Sequence, residues 1–352
     1  MLKDRLAYWR RIFKVYGTKE KGYLSFWHER PAVSRDIDPA KLGPYYQTFK
    51  DKADYDGPKD EGGVILFDYY FDIGRQYNPL AVAQYGLGHW NLYRVASSEK
   101  RVASAEKHLG IAKTPAVAKA VAGTAGDHFA IAKIQGEWLV KNLETNAQGL
   151  KVWKHKFRWH YKAYLAPGWF SAHSQGTGIG LLARLYEETK DERYLAAARD
   201  AFVSLDTEIK DGGVKYVDPE GGVWLEEYLV EPPTHILNGY LWALWGVWDY
   251  FLLTGDLEAR RLWNECITTL KKNMPRYDAG FWSMYDLSRQ AMKMIASPFY
   301  HDLHIVQLHA TALLSGEAAF EEYAKKFEAY RANPLERRFA FAYKALFKLL
   351  YF

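Results

Sequence analysis

Apolar positions change their spacing near residue 79. Before it they come in short runs broken by Gly, Pro and Asp; after it they recur at helical intervals. Leu6, Tyr8, Trp9, Ile12, Phe13 and Tyr16 fall on one side of a basic, aromatic helix over residues 1–16. Residues 17–78 hold β-like runs such as Val64 to Tyr70 between turn residues. Pro79 suits the first turn of a helix that continues through Ala83, Tyr85, Leu87 and Trp90. The pattern divides the chain into an N-terminal helix with a short β and loop segment (1–78) and a helical domain (79–352).

Within the helical part a turn recurs. Thr189-Lys190-Asp191, Thr254-Gly255-Asp256 and Ser315-Gly316-Glu317 each separate two helical patterns, and Thr124-Ala125-Gly126-Asp127 is a looser copy. The intervals are 65, 65 and 61 residues. A hydroxyl followed by an acid supplies side-chain oxygens to the unpaired N–H groups of the next helix. Four αα-hairpins at this spacing predict a mainly α fold, an (α/α) toroid or incomplete barrel, with β-hairpin insertions; the plainer reading is a bundle with ordinary capped turns. Long Gly-, Pro- and aromatic-rich segments at 145–171, 206–233 and 274–300 would gather at one mouth of a toroid, where binding residues usually sit.

The mouth segments carry the candidate chemistry. Lys151 to Lys162 alternates as one strand: Trp153, His155, Phe157, Trp159 and Tyr161 on one face, Lys154, Lys156, Arg158, His160 and Lys162 on the other. That cationic face is either a solvated edge or a wall attracting a polyanion. Glu226-Glu227-Tyr228 follows a β-like run, and strand alternation would point Glu227 away from both neighbours. An aromatic surround raises a glutamate pKa and suits it to acid–base work. Tyr285 lies in an extended, Gly-containing stretch with Arg289 just beyond. Tyr300-His301-Asp302-Leu303-His304 lacks the spacing of a zinc site, so His301 and His304 read as hydrogen-bonding groups at a rim. No dinucleotide fingerprint, phosphate loop or hydrolase nucleophile elbow occurs.

Composition narrows the classes. Aromatic residues reach 16%, which suits either a large core or stacking against sugar rings. The net charge of +5 favours an anionic partner but is too small to indicate nucleic acid. One cysteine excludes an internal disulfide framework. The start is too charged for a signal peptide, and Tyr240 to Leu253 is short of the ~20 apolar residues of a membrane span. The expectation is a soluble protein, cytoplasmic by default, without membrane contact.

Five stretches then match one family in order and approximate spacing: Asn78 to Leu87, Pro167 to Ala172, Glu226-Glu227-Tyr228 with Leu237 to Tyr240, Tyr277 to Gly280 with Tyr285 to Leu287, and Tyr300 to Ile305. Over residues 64–330 the chain resembles the C-terminal catalytic region of D-glucuronyl C5-epimerases, which convert glucuronate to iduronate within heparan-type chains. The resemblance implies a barrel-like (α/α) catalytic domain, with the β-structure before it reduced. It implies catalytic roles for Glu227, Tyr228, Tyr285 and Tyr300, with Tyr85 as a further candidate. Substrate contacts follow at Gln84, Tyr85, Trp169, Gln175, Asn238, Arg289, His301 and His304, joined by Lys154 and Arg158 from the alternating segment. The family's YDLRH reads Tyr285-Asp286-Leu287-Ser288-Arg289, with the arginine moved one place. Its Ala-Gln-Gly-Gln reads Ser174-Gln175-Gly176-Thr177.

The implied partner is a uronate-containing anionic polysaccharide, the implied assembly a homodimer, and the implied reaction needs no cofactor or metal. Inversion at C5 demands one acid–base group on each ring face and neutralisation of the carboxylate. Glu227 and Tyr300 are the expected opposing pair. Tyr228 and Tyr285 would hold the sugar or relay protons, and Arg289 and the basic strand would offset charge. The competing readings are a polysaccharide lyase, a non-catalytic module for anionic glycans, and a glycoside hydrolase with paired carboxylates.

Overall fold

Helical hairpins carry the architecture of the computed structural model, which describes residues 26–69, 71–109 and 123–351. The aromatic helix expected over residues 1–16 lies outside the described residues. A short helix, α1 (Lys50–Ala53), precedes the first long one, α2 (Pro79–Leu109), which pairs with α3 (Ala125–Lys141). The later hairpins are α4 (Ala172–Thr189) with α5 (Glu192–Asp206), α6 (Leu237–Thr254) with α7 (Leu257–Asn273), and α8 (Pro298–Ser315) with α9 (Ala318–Ala332); α10 (Pro334–Tyr351) follows. Antiparallel two-stranded ribbons fill the connections: β1 (Phe67–Tyr69) with β2 (Gly74–Gln76), β3 (Leu143–Thr145) with β4 (Lys151–Trp153), β5 (Trp159–Tyr161) with β6 (Ala163–Leu165), and β7 (Lys215–Val217) with β8 (Val223–Leu225). The fold is mainly α with hairpin insertions. Among the described residues no helix is long and apolar enough to cross a membrane.

The recurring turn works through its side chains. Thr189 Oγ1 donates to Leu185 O at 2.6 Å and accepts from Asp191 N at 3.3 Å, while Asp191 caps α5 by accepting from Arg193 N at 3.0 Å. Thr254 and Asp256 repeat the device, with the intervening Gly255 at φ 69°. Ser315 repeats the hydroxyl part, with Gly316 at φ 71°. Thr124 does something else: it is itself the N-cap of α3, in a reciprocal capping box with Asp127. The looser copy is therefore a helix start, not the same turn.

The segment Lys151 to Lys162 departs from the expected single strand. β3 pairs with its first three residues, Trp169 bridges His155, and β6 pairs with residues 159–161, so three partners share it. Its alternation survives: Trp153, His155, Phe157 and Tyr161 are buried, and Lys156 and His160 are exposed.

The first helices of the four hairpins pack on each other in sequence order, α2 on α4, α4 on α6, and α6 on α8. The α4–α6 contact is the tightest. A Cβ added to Gly246 would meet Gly176 Cα at 2.3 Å, and one added to Gly176 would meet Ala243 Cα at 2.6 Å. Backbone touches backbone there. One turn further, Arg184 Nη1 donates to Asp249 Oδ2 at 2.6 Å, both side chains fully buried. Tyr46 O–H donates to Asp249 Oδ1 at 2.6 Å and Arg184 Nε to Gly43 O at 3.0 Å, tying residues 43–46 onto both helices. Residues 26–69 share one hydrophobic core with the helices.

Gly→Ala in a helix interior ordinarily stabilises by ~1 kcal/mol. Gly246→Ala should do the opposite and lower stability by about 1–3 kcal/mol through overpacking, measured by urea unfolding. A stabilised Gly246→Ala variant would contradict the backbone contact.

Candidate active site

The starts of the inner helices meet at a cleft. Asn78 and Leu80 at the start of α2, His173 of α4, Asn238 of α6 and Tyr300 of α8 all line it, four first turns converging on one space. Backbone bonds fix the segments that join these helices. Ala172 N, at the first residue of α4, donates to Glu226 O at 2.9 Å, and Leu237 N, at the first residue of α6, donates to Tyr285 O at 3.1 Å. Ser297 caps α8 by accepting from Tyr300 N. The cleft is small, about 140 Å³, and open at its mouth.

The inter-helix segments supply the remaining walls. His155, Phe157, Trp159 and Trp169 come from 145–171, Glu227 and Tyr228 from 206–233, and Tyr285 and Tyr300 from 274–300. His155 and Trp169 stack at 3.7 Å, and Tyr228 lies 4.5 Å from Tyr161 and 5.6 Å from Trp169, centroid to centroid. Behind them the buried Asp286 accepts from Tyr161 O–H at 2.5 Å and Lys162 Nζ at 2.7 Å. Tyr285 and Tyr300 meet edge to face at 4.9 Å.

Of the adjacent glutamates, Glu226 is committed: both oxygens are bonded to His235. Glu227 is not. It is 5% exposed, and its Oε2 is buried without a hydrogen-bond partner. Only glycine fits opposite it, since a Cβ at Gly239 would stand 2.2 Å from that oxygen. Strand alternation would have turned Glu227 away from Tyr228, but β8 ends at Leu225, and the bend beyond brings both into the cleft. Burial pushes the Glu227 carboxyl up to about 8, against the hydrogen bond from Tyr228 and with help from the charges of Glu226 and Asp286. Burial likewise holds the Tyr285 phenol well above its ordinary value, with the Glu227 charge adding to it.

Six of the expected residues thus meet: Glu227, Tyr228, Tyr285, Tyr300, Trp169 and Asn238. The others stand outside the lining. Gln84 accepts from Lys52 Nζ at 2.6 Å, and Tyr85 packs on His89 at 4.6 Å. Gln175 exchanges both amide groups with the Trp153 backbone. His301 and His304 clasp Ser283 Oγ at 2.8 and 2.9 Å, bracing the segment that carries Tyr285. The cations of the alternating segment are spent on other partners: Lys154 Nζ on Thr145 O, Lys156 on Glu144, Arg158 on Asp72. Arg289 is exposed. Among the described residues no three His, Cys, Asp or Glu side chains group as metal ligands. Sequence reasoning missed His173, Trp27, His28 and Trp242; His173 directly follows a matched stretch, whereas Trp27 and His28 carried no signal.

Comparison with known proteins places the chain beside one family. Residues 148–329, which contain Glu227, Tyr228, Tyr285 and Tyr300, match the family model of the D-glucuronyl C5-epimerase C-terminus. The chain is 31% identical over 209 residues to a D-glucuronyl C5-epimerase of Caenorhabditis elegans, covering 55% of this chain and 34% of that protein. It is 31% identical over 180 residues to an uncharacterized protein of Methanocaldococcus jannaschii, covering 50% of this chain and 56% of that one. The chain therefore spans between a third and somewhat over half the length of these relatives.

The raised carboxyl of Glu227 has a signature in stability. From its ordinary value of 4.5 to about 8 the folded protein holds this proton and the unfolded chain releases it. Its contribution is complete below pH 4.5 and is lost as pH rises to about 8. Glu29, raised to about 7, and the raised carboxyls of Asp249 and Glu187 act in the same direction, so Glu227→Gln should remove one of these losses and leave the others. Relative to wild type, the variant should gain about 1 kcal/mol or more between pH 4.5 and 8.5 in urea unfolding. Parallel pH dependences of the two proteins would mean that Glu227 ionises normally.

Proposed function

The chain belongs to the D-glucuronyl C5-epimerase family, and we propose that it inverts C5 of D-glucuronate residues in an anionic polysaccharide of the heparosan type, giving L-iduronate. The reading is carried by one observation. Glu227, a buried carboxyl with an unpartnered oxygen and a pKa near neutrality, shares a cleft with Tyr300, a second group able to move a proton.

The C5–H bond breaks with its proton passing to one of these groups, and its electron pair moves toward the carboxylate. The other group then delivers a proton to the opposite face. No electron leaves the sugar, so the step balances without an oxidant. The anionic intermediate must be stabilised where it forms. The first turn of a helix carries a partial positive charge, and four first turns contribute residues to this cleft. Tyr228 and Tyr285 supply hydroxyls beside Glu227, and the aromatic wall from His155 to Trp169 offers faces for the apolar side of a sugar.

The reactive pair carries one proton: Glu227 ionised with Tyr300 protonated in one direction, the reverse in the other. Because the free protein at neutral pH holds Glu227 protonated, that pair must first lose a proton near pH 8. The kcat/KM should therefore rise almost tenfold per unit below pH ~8 and level above it, in both directions, since the equilibrium constant does not depend on pH. Glu227→Gln and Tyr300→Phe should each lower kcat by ~10²-fold or more while substrate binding persists, with conversion followed by NMR of a glucuronate polymer. Wild-type turnover in both variants would remove these two residues from the mechanism.

A further inference from the structure

The cleft proposed to hold a carboxylate has no cation in its own lining: among its described lining residues there is neither Lys nor Arg. The cations expected from sequence are turned elsewhere. Behind the walls, Lys162 is paired with Asp286, and the buried Lys344 lies 6.0 Å from the Tyr285 ring with its Nζ on Ile295 O; a third charge, Lys52, stands behind the opposite aromatic residues Trp27 and Trp242. Lys52 is 1% exposed, and its Nζ lies 5.1 Å from the Trp27 ring and 5.6 Å from the Trp242 ring, both of which line the cleft. Phe26 and Phe49 close the cage at 4.7 and 5.2 Å. Its one hydrogen bond goes to a neutral acceptor, Gln84 Oε1. Among the described residues no carboxylate oxygen lies within 4.0 Å of it.

A buried ammonium group without a paired anion is costly, and proteins normally pair it or neutralise it. The acid that acts on it over a longer distance is Glu29, itself buried, with Oε1 accepting from Gln47 Nε2 at 2.7 Å and Oε2 without a partner. The cleft lining itself holds further unsatisfied atoms. His173, in the cleft lining and within the field of Lys52, has a buried Nδ1 with no partner, and Asn238 Oδ1 is likewise unpartnered. Burial and the Lys52 charge keep His173 neutral, which leaves it able to present one N–H without a charge of its own.

We propose that Lys52 is the positioning charge of a carboxylate subsite at the wall formed by Trp27, His173 and Trp242, which selects a uronate over the corresponding neutral hexose. The inference rests on the uronate reading of the cleft and deepens it. The carboxylate takes the place of the missing counter-ion, and the low dielectric of the aromatic cage carries the attraction across the wall. In the free protein Glu29 holds part of that field, so it competes with the ligand.

The test measures binding by calorimetry in the full chain carrying Glu227→Gln, which prevents turnover. The probes are a heparosan oligosaccharide and the same oligosaccharide with its carboxyls reduced. The parent should prefer the uronate form. Lys52→Met, which keeps the length and apolar contacts of the side chain, should reduce that preference by about tenfold or more and leave the reduced oligosaccharide's affinity unchanged. A merely structural lysine would weaken both ligands together. Glu29→Gln removes the internal competitor and should tighten uronate binding by about threefold, a gain that misfolding does not produce. If Lys52→Met fails to fold, Glu29→Gln decides: unchanged or weaker uronate binding overturns the proposal. A parent that prefers the uronate while Lys52→Met keeps the full preference overturns the Lys52 subsite alone. A parent that binds neither oligosaccharide overturns the uronate reading and this proposal with it.

Discussion

Helices α4 and α6 approach until Gly176 and Gly246 touch through their backbones, and the place of the cleft follows from that contact. With no side chain between them, the two helices are locked at one separation and one register. The buried Arg184–Asp249 pair seals the register from the side, and Tyr46 and Gly43 bind to the same pair. Two buried charges of this kind contribute little net stability, because desolvation offsets their attraction, but breaking one leaves the other uncompensated. Specificity of alignment is what the arrangement provides. Once α4 and α6 are fixed, their first residues anchor the Glu226 and Tyr285 backbones, and the side chains of the cleft inherit the helix positions.

That construction explains which parts were legible in the sequence. The turns at 189–191, 254–256 and 315–317 could be read because their function is local: a hydroxyl, a positive φ and an acid within three residues. The aromatic face of 153–161 was legible for the same reason, although its division among three partners depends on segments far away in sequence. Glu227, Tyr228, Tyr285 and Tyr300 were reached through motif resemblance, and their grouping agrees with it. Residues whose role is set by packing were not legible. Gln84, Gln175, His301 and His304 carry polar groups suited to a ligand, yet each is held outside the cleft lining by a bond to a backbone or side-chain neighbour. Lys52 shows the opposite case: nothing in Lys50-Asp51-Lys52 tells that the first lysine is exposed and the second buried.

The cleft's electrostatics also differ from the sequence picture. A row of cations on an alternating segment suggested a wall of charge, but Lys156 and Arg158 pair with acids on the outside, Lys154 bonds a backbone carbonyl and Lys162 is paired with the buried Asp286. Closest to the cleft stand instead four helix first turns and two buried lysines, Lys52 behind Trp27 and Trp242 and Lys344 behind Tyr285. In the proposed reaction such sources are in place before the substrate arrives and need no reorganisation as charge develops. The carboxyl of Glu227 is kept near neutrality by the same burial, so one feature, exclusion of water, both strengthens these fields and tunes the proton carrier.

The account stands on proton transfer at C5 without cleavage of the chain. Incubation with a heparosan polymer in D₂O addresses that directly, with NMR reading deuterium at C5 and absorbance reporting unsaturated uronate. The account predicts deuterium at C5 in both glucuronate and iduronate residues, an unchanged polymer length and no ultraviolet signal. Unsaturated ends would make the protein a lyase acting through the same proton, and the absence of C5 labelling across uronate polymers would contradict the chemistry altogether.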